Sequence, residues 1–165
     1  MDRPFPAYTG SEPYIFASYS HKDASAVFPE LIRLRDQSFN VWFDEGIDAG
    51  TEWRGEIAQA IENAQLFVYF VTPESAKSQN CLKEVNFADK QNISIIAIHL
   101  EVTELPSSLD LTLSDRQALF KYEMPKREYQ QKLQARILSY LDQAPIQPAV
   151  AEGDKVPSVE VVETT

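Results

Sequence analysis

Two long apolar runs constrain the fold of this 165-residue chain more than any other part of its sequence: Leu66–Val71 and Ile93–Leu100. A strand with one face in solvent alternates apolar and polar residues, and neither run shows that alternation. Each run therefore predicts a strand that is covered on both faces, as in a parallel sheet between two layers of helices. Both are far shorter than the roughly 20 residues that a membrane-spanning helix needs.

Weaker strand signals and helix signals alternate with these runs along the chain. Three more strands are predicted, over Pro13–Tyr19, Asn40–Phe43 and Gln117–Tyr122. Helices are predicted after the N-cap candidate Asp23 and over Trp53–Asn63, Cys81–Gln91 and Pro125–Leu141. Polar loops are predicted over Asp44–Glu52, Thr72–Asn80 and Glu101–Ser114, the last with one helical turn. This order predicts a flavodoxin-like α/β fold, an open five-stranded parallel sheet with helices on both faces.

The first and last helices carry apolar stripes that predict which of their faces are buried. The first stripe consists of Val27, Leu31, Ile32 and Leu34. The last stripe consists of Tyr129, Leu133, Ile137 and Leu138. Pro29 lies within the first helix, where its ring should either kink the helix or mark the first turn of its main part.

The composition changes at both ends of the chain. Residues 1–12 show no periodicity and are interpreted as a lead-in, and residues 13–142 form one predicted domain. Residues 143–165 contain prolines and scattered acidic residues, which is typical of a flexible tail or of a linker to a further domain.

Charge and cysteine content exclude several classes of function. The chain has 15 Lys+Arg against 25 Asp+Glu, a net charge of −10, so nucleic acid and anionic membranes would repel it. Its one cysteine, Cys81, permits neither an internal disulfide nor a cysteine-based zinc site, and no metal site is predicted. The N-terminus has no apolar stretch of signal-peptide length, so a cytoplasmic location is expected.

Several standard catalytic motifs are missing from the sequence. Neither of the glycine-rich phosphate-binding loops is present, nor is the G-x-S-x-G motif of hydrolases. A phosphoacceptor receiver domain would need acidic residues at the ends of strands one and three, where this chain has Ser18–Ser20 and Val71–Pro73. The candidate residues therefore lie on other loops at the carboxyl ends of the strands, where sheets of this kind bind ligands.

Three candidate residues on these loops are Glu84, Trp53 and Cys81, and each of them taken by itself has an ordinary structural explanation. Glu84 falls in the first turn of a predicted helix, where the helix dipole favours an acidic side chain. Trp53 opens another helix and could simply fill the core. Cys81 has the character of a small buried hydrophobic residue.

Three segments together resemble a Toll/interleukin-1 receptor (TIR) domain of the bacterial type. Tyr14–Asp23 (YIFASYSHKD) resembles the first box of the family, and Val41–Trp53 (VWFDEGIDAGTEW) resembles the second box. Phe70–Ser75 followed by Ser78–Glu84 resembles the stretch that enters the third helix. The match runs in order from about Tyr14 to Leu141.

This resemblance implies two kinds of activity. Many bacterial, plant and axonal members cleave the nicotinamide–ribose bond of NAD⁺, their substrate and not a bound cofactor, to give ADP-ribose or a cyclic isomer. Many animal members only assemble into signalling scaffolds, and bacterial members serve in anti-phage defence or host subversion. The expected partners are NAD⁺ and further TIR copies, with self-association switching on the enzyme.

The resemblance also implies roles for particular residues. Glu84 matches the catalytic glutamate, and Trp53 matches a residue that clamps a ring of the substrate. The remaining predicted substrate-binding residues are Tyr19, Ser20, Asn80 and Cys81. Asn80 stands where strongly active members often carry tryptophan. The predicted self-association loop consists of Asp44, Glu45, Gly46, Ile47, Asp48, Ala49 and Gly50.

Overall fold

The computed structural model describes residues 3–45 and 51–141, except for the side chains of residues 51–53. The strands are β1 (Ile15–Ser18), β2 (Val41–Phe43), β3 (Leu66–Val71), β4 (Ile95–His99) and β5 (Gln117–Phe120). The α-helices are α1 (Ala24–Asp36), α2 (Thr51–Glu62), α3 (Pro73–Lys77), α4 (Gln79–Lys90), α5 (Ser107–Leu113) and α6 (Lys126–Leu141). Short 3₁₀ turns cover His21–Asp23 and Lys121–Glu123.

The five strands form one parallel sheet in the order β2-β1-β3-β4-β5. This confirms the predicted flavodoxin-like sheet. The chain moves outward from β1 in one direction to β2 and in the other to β3, so the loops after β1 and β3 diverge. A crevice at the carboxyl ends of the strands is expected at such a switch in strand order.

Alternation along the strands divides the core into two layers. On one face, Ile15 and Ala17 of β1 pack in a cluster with α1 and α6. On the other face, Phe16 packs in a cluster with residues of α2, α3, α4 and α5. Because side chains alternate along a strand, Ser18 continues the face of Phe16 and points toward the layer that contains α4.

Two loops contain helices that the sequence analysis did not assign. The predicted loop Thr72–Asn80 holds α3, and the predicted single turn in Glu101–Ser114 is the seven-residue α5. Pro73 at the start of α3 suits a helical first turn, and Thr72 and Ser75 form a capping box around it. The prediction of a loop was wrong here because a five-residue helix set by a local capping box leaves no apolar periodicity in the sequence.

Parts of the predicted helix faces also need correction. Ile32 is 36% exposed and Leu138 is 43% exposed, so neither belongs to the buried stripe. Leu31 and Ile137, by contrast, are fully buried. Helix α1 begins at Ala24 and continues through Pro29, so this proline does not mark the first turn.

A buried carboxylate joins α1 to α6. Glu30 is 2% exposed, and its Oε2 lies 2.7 Å from the Arg33 guanidinium and 2.6 Å from Lys121 Nζ. The hydroxyl of Tyr129 donates to Glu30 Oε1 at 2.7 Å. Burial and the charge of Glu30 raise the pKa of Tyr129, which keeps this hydroxyl protonated as a donor.

The N-terminal segment packs along the outer strand β2. The Tyr8 amide donates to the Val41 carbonyl at 2.9 Å, and the ring of Phe5 is buried edge-on against Phe43. Glu45 accepts bonds from the Arg3 guanidinium at 2.8 Å and from the Ala7 amide at 2.6 Å. The predicted lead-in therefore includes residues with buried and hydrogen-bonded contacts, whereas residues 143–165 lie outside the described part of the chain.

Candidate active site

A cavity of about 220 Å³ opens at the carboxyl end of β1. It is lined by Ala17, Tyr19, Ser20, His21, Lys22, Asp44, Ser78, Asn80 and Glu84. These residues come from the end of β1 and the loop that follows it, from the residue after β2, and from the N-cap and first turns of α4. The cavity therefore lies at the switch in strand order where such sheets bind ligands.

Helix α4 carries Glu84 into the cavity. Its N-cap is Ser78, whose hydroxyl accepts from the Cys81 amide at 3.2 Å. Glu84 follows within two turns and is half-buried, beside the fully buried Val85. One carboxylate oxygen, Oε1, accepts a hydrogen bond from Ser18 Oγ at 2.7 Å.

The surroundings of Glu84 favour its protonated form. Burial raises the pKa of Glu84 to about 7, and the nearby charge of Asp44 also raises it. The hydrogen bond from Ser18 acts in the opposite direction, because it favours the ionised carboxylate. This carboxylate consequently changes charge near neutral pH, a property that is common in catalytic groups and rare in surface glutamates.

The loop after β1 forms one wall of the cavity. The Tyr19 hydroxyl donates to the carbonyl oxygen of Asp44 at 3.0 Å, which ties this loop to the end of β2. The pKa of Tyr19 is raised, mainly by burial, so the hydroxyl stays protonated. His21 Nε2 lies 3.6 Å from Asp44 Oδ2, and the Tyr19 and His21 rings are 5.2 Å apart.

Lys22 places a positive charge at the mouth of the cavity. Its side chain is 78% exposed, and its Nζ lies 3.6 Å from Glu74 of α3. The Lys22 amide donates to Ser20 Oγ at 3.3 Å, which closes a tight turn at the start of the 3₁₀ segment. An exposed ammonium group of this kind can meet an anionic part of a ligand at the solvent boundary.

The structure brings four of the predicted catalytic and substrate-binding residues to one cavity. Tyr19, Ser20, Asn80 and Glu84 all line it. Cys81 does not: it is 1% exposed and belongs to the core cluster beneath α4. Burial raises the pKa of its thiol to about 11, so at neutral pH it is a protonated, buried group.

The other predicted site residues are only partly within the described region. Asp44 lines the cavity, whereas Glu45 accepts from Arg3 and Ala7. Gly46, Ile47, Asp48, Ala49 and Gly50 lie outside the described residues, and so does the side chain of Trp53.

Four polar residues at the site were not among the predicted catalytic or substrate-binding residues: Ser18, His21, Lys22 and Ser78. The alternation of side chains along β1 could have identified Ser18. It is a small polar residue at the end of an apolar strand, two positions after Phe16, on the face that packs against α4.

A larger cavity, of about 610 Å³, lies beside the edge strand β2, near the amino ends of β1 and β3. It is enclosed by residues 8–14, Trp42 and the helix α2, and its two carboxylates, Glu12 and Glu56, are exposed. Neither carboxylate is shielded from solvent as Glu84 is, so size alone does not identify the site.

The described residues show neither a metal cluster nor a membrane-spanning helix. No group of three or more His, Cys, Asp or Glu side chains within residues 3–45 and 54–141 could hold a metal ion. Over the same part of the chain, no helix has the length and apolar character needed to cross a membrane.

Comparison with known protein families places this geometry in context. A family model described as "TIR domain" matches residues 15–138, which is most of the chain. The chain is a TIR domain. Its three boxes thus correspond to β1 with the following turn, to β2 with the following loop, and to the entry into α4. No curated protein matches the sequence.

A solved TIR-domain structure shows the same fold. The TIR domain of the Toll-related receptor TRR-2 from the lower metazoan Hydra magnipapillata is 19% identical, with a TM-score of 0.61 over 74% of this chain and 96% of that chain. The TIR domains of the activated Roq1 resistosome, which directly recognizes the pathogen effector XopQ, are 15% identical. That match covers 79% of this chain and 80% of the other, with a TM-score of 0.48.

Proposed function

We propose that this TIR domain hydrolyses the nicotinamide–ribose bond of NAD⁺, with Glu84 as the catalytic carboxylate. The observation that carries the proposal is the Glu84 carboxylate itself. It lines a cavity at the switch in strand order, its Oε1 is held by Ser18 at 2.7 Å, and its pKa is raised to about 7. Its position also matches the catalytic glutamate of the TIR enzymes that the sequence resembles.

A single carboxylate is sufficient for this reaction. Most glycosidases need a second carboxyl group, because an alcohol leaving group must be protonated. The nicotinamide ring of NAD⁺ is already cationic and departs as a neutral molecule. Its bond to the ribose C1′ breaks, and water forms the new C1′–O bond and releases a proton. The ionised Glu84 stabilises the positive charge that develops on the ribose.

The size and charge of the cavity suit one end of the dinucleotide. A volume of about 220 Å³ is below the roughly 300–1,000 Å³ of sites that enclose a whole drug-sized ligand. The cavity therefore receives the nicotinamide–ribose half, beside Glu84 and Asn80. The pyrophosphate extends toward the mouth, where Lys22 is exposed. The substrate's adenine could replace water as the acceptor and give a cyclic product.

Release of nicotinamide tests the proposal directly. Concentrated protein is incubated with NAD⁺ near pH 8, and nicotinamide is measured by chromatography for the wild type, Glu84→Ala and Glu84→Gln. The wild type should release nicotinamide, and both variants should lose at least 100-fold in rate, about 2.7 kcal/mol of transition-state stabilisation.

A matched glutamate variant controls for the loss of an acidic side chain. Glu62 is exposed at the carboxyl end of α2, away from the cavity, so Glu62→Gln should release nicotinamide at the wild-type rate. No release by clustered wild-type protein, or equal release by Glu84→Ala, would reject the enzymatic proposal.

A second candidate function is a TIR–TIR interaction module that recruits further copies. Exposed aromatic side chains favour it: Phe120 is 36% exposed and Tyr122 is 43% exposed, with ring centroids 6.1 Å apart. Sedimentation over a concentration series measures self-association of the wild type, of Ile47→Asp and of Phe120→Glu. Loss of association in either variant supports this function, and unchanged association in both contradicts it. The two functions are compatible, because self-association can switch on the enzyme.

A further inference from the structure

The buried end of β1 supplies a second residue to the candidate active site. Ser18 is 1% exposed, and its side chain points toward the layer that contains α4. Buried hydroxyl groups are nearly always hydrogen-bonded. Here the partner is Glu84 and not a backbone carbonyl, so the hydroxyl group at the end of β1 donates to the acid of the site.

The Ser18–Glu84 contact is a well-formed hydrogen bond. The Oγ–Oε1 distance of 2.7 Å lies at the most common value for hydroxyl donors and at the upper limit for a charged acceptor. Ser18 is fixed within the sheet, where it pairs in register with Tyr69 of β3. A short bond from a rigid strand therefore restricts the rotation of a side chain that comes from a different element.

We propose that Ser18 is a positioning residue for Glu84. The hydrogen bond from Ser18 fixes Oε1 in place and leaves Oε2 to contact the ribose of the substrate. This inference rests on the proposed function for its substrate, but the effect of Ser18 on Glu84 is independent of any activity. The hydroxyl donates to the ionised form and so opposes the effect of burial, which favours the protonated form.

Other titratable groups lie around Glu84. They come from each element packed near it: Tyr19, His21 and Lys22 after β1, Asp44 after β2, Tyr69 on β3, and Cys81 on α4. Asp44 raises the pKa of Glu84, as burial does. Ser18 is the group that lowers it, so its removal should move the titration in a known direction.

Carbon-13 NMR of the Glu84 carboxyl group measures that titration without reference to activity. Glutamate is labelled in the wild type and in Ser18→Ala, and the Glu84 signal is identified by its loss in Glu84→Gln. Loss of the donor should raise the titration midpoint by about one pH unit, because the hydroxyl group stabilises the ionised carboxylate. An unchanged midpoint overturns the proposal.

Two further variants separate positioning from general loss of packing. Ser18→Thr restores a hydroxyl and should return the midpoint toward that of the wild type. Ser75→Ala removes another fully buried hydroxyl, one that donates to Phe70 and does not contact Glu84. It should lower the thermal stability and leave the Glu84 midpoint in place. A midpoint that moves equally in Ser75→Ala contradicts a specific role for Ser18.

Kinetics add a test that a structural role alone would not satisfy. At a fixed pH below the midpoint, a midpoint that lies one unit higher reduces the ionised fraction of Glu84 roughly tenfold. The kcat of Ser18→Ala at pH 6 should therefore fall roughly tenfold. The deficit should narrow by pH 9, with little change in KM. If neither the wild type nor any variant releases nicotinamide, the proposed function fails, while the NMR midpoints still decide the role of Ser18.

A cysteine variant replaces Ser18→Ala if the alanine variant does not fold. Ser18→Cys keeps the shape of the side chain but has a weaker donor, so it should give an intermediate midpoint.

Discussion

Replacement of Glu84 by glutamine should stabilise the fold, and by an amount that grows with pH. Glu84→Gln keeps an oxygen that can accept from Ser18, but it cannot ionise. The pKa of Glu84 lies at about 7 in the folded protein, against an ordinary value of 4.5. Between these values the unfolded chain has released its proton while the folded protein still binds it. The free energy of unfolding of the wild type therefore decreases as pH rises through this window.

The size of the effect follows from the same two values. The interval from 4.5 to about 7 corresponds to about 3 kcal/mol, at roughly 1.4 kcal/mol for each tenfold change in proton concentration. The stability of Glu84→Gln relative to the wild type should therefore increase by about 3 kcal/mol between pH 4 and pH 8. Above pH 8 the difference should stay constant, because Glu84 is ionised in both states.

Urea unfolding followed by tryptophan fluorescence measures this difference across the pH range. Most other titrating groups contribute equally to the two proteins and cancel in the comparison. Glu62→Gln, the matched variant at an exposed position, should show a stability curve parallel to that of the wild type. Parallel curves for Glu84→Gln as well would show that Glu84 ionises normally in the folded protein, and the electrostatic account of the site would be wrong.

Three further predictions concern other contacts. Asp44→Asn should lower the NMR titration midpoint of Glu84, because it removes a nearby negative charge; a higher or unchanged midpoint would contradict this. Tyr129→Phe should lower the free energy of unfolding in urea by about 1–3 kcal/mol, because it removes a buried donor to the Glu30 carboxylate. A loss near zero would mean that Arg33 and Lys121 alone stabilise the buried Glu30 charge. Phe5→Ala should cost about 3 kcal/mol by the same measurement, because the ring is buried against Phe43; full stability would mean that the N-terminal segment contributes little.

The strands of this TIR domain could be predicted from sequence because burial on both faces leaves a strong signal. Strand β3 has the bounds that were predicted, Leu66–Val71, and it lies at the centre of the sheet. The edge strand β5 ends two residues earlier than predicted, at Phe120, because half-exposed residues there do not distinguish a strand from the following 3₁₀ turn. Helix ends were set by local hydroxyl caps such as Thr72, which apolar periodicity does not reveal.

The candidate site was predictable only through the family resemblance. Spacing alone gave Glu84 the ordinary explanation of an acidic residue near a helix start. Its burial beside Ser18 depends on how α4 packs across β1, which brings together residues 66 positions apart. Such a contact leaves no periodic trace in the sequence. Cys81, adjacent to the same turn, shows the opposite outcome, since its orientation toward the core removes it from the cavity.

The packing of the N-terminal segment has a practical consequence for anyone who handles this protein. Tyr8 is hydrogen-bonded to the edge strand β2, and Arg3 forms an ion pair with Glu45, the last described residue before residues 46–50 of the second box. Because Arg3 and Ala7 both contact Glu45, fusions or substitutions at residues 3–8 should be avoided when assembly is to be measured.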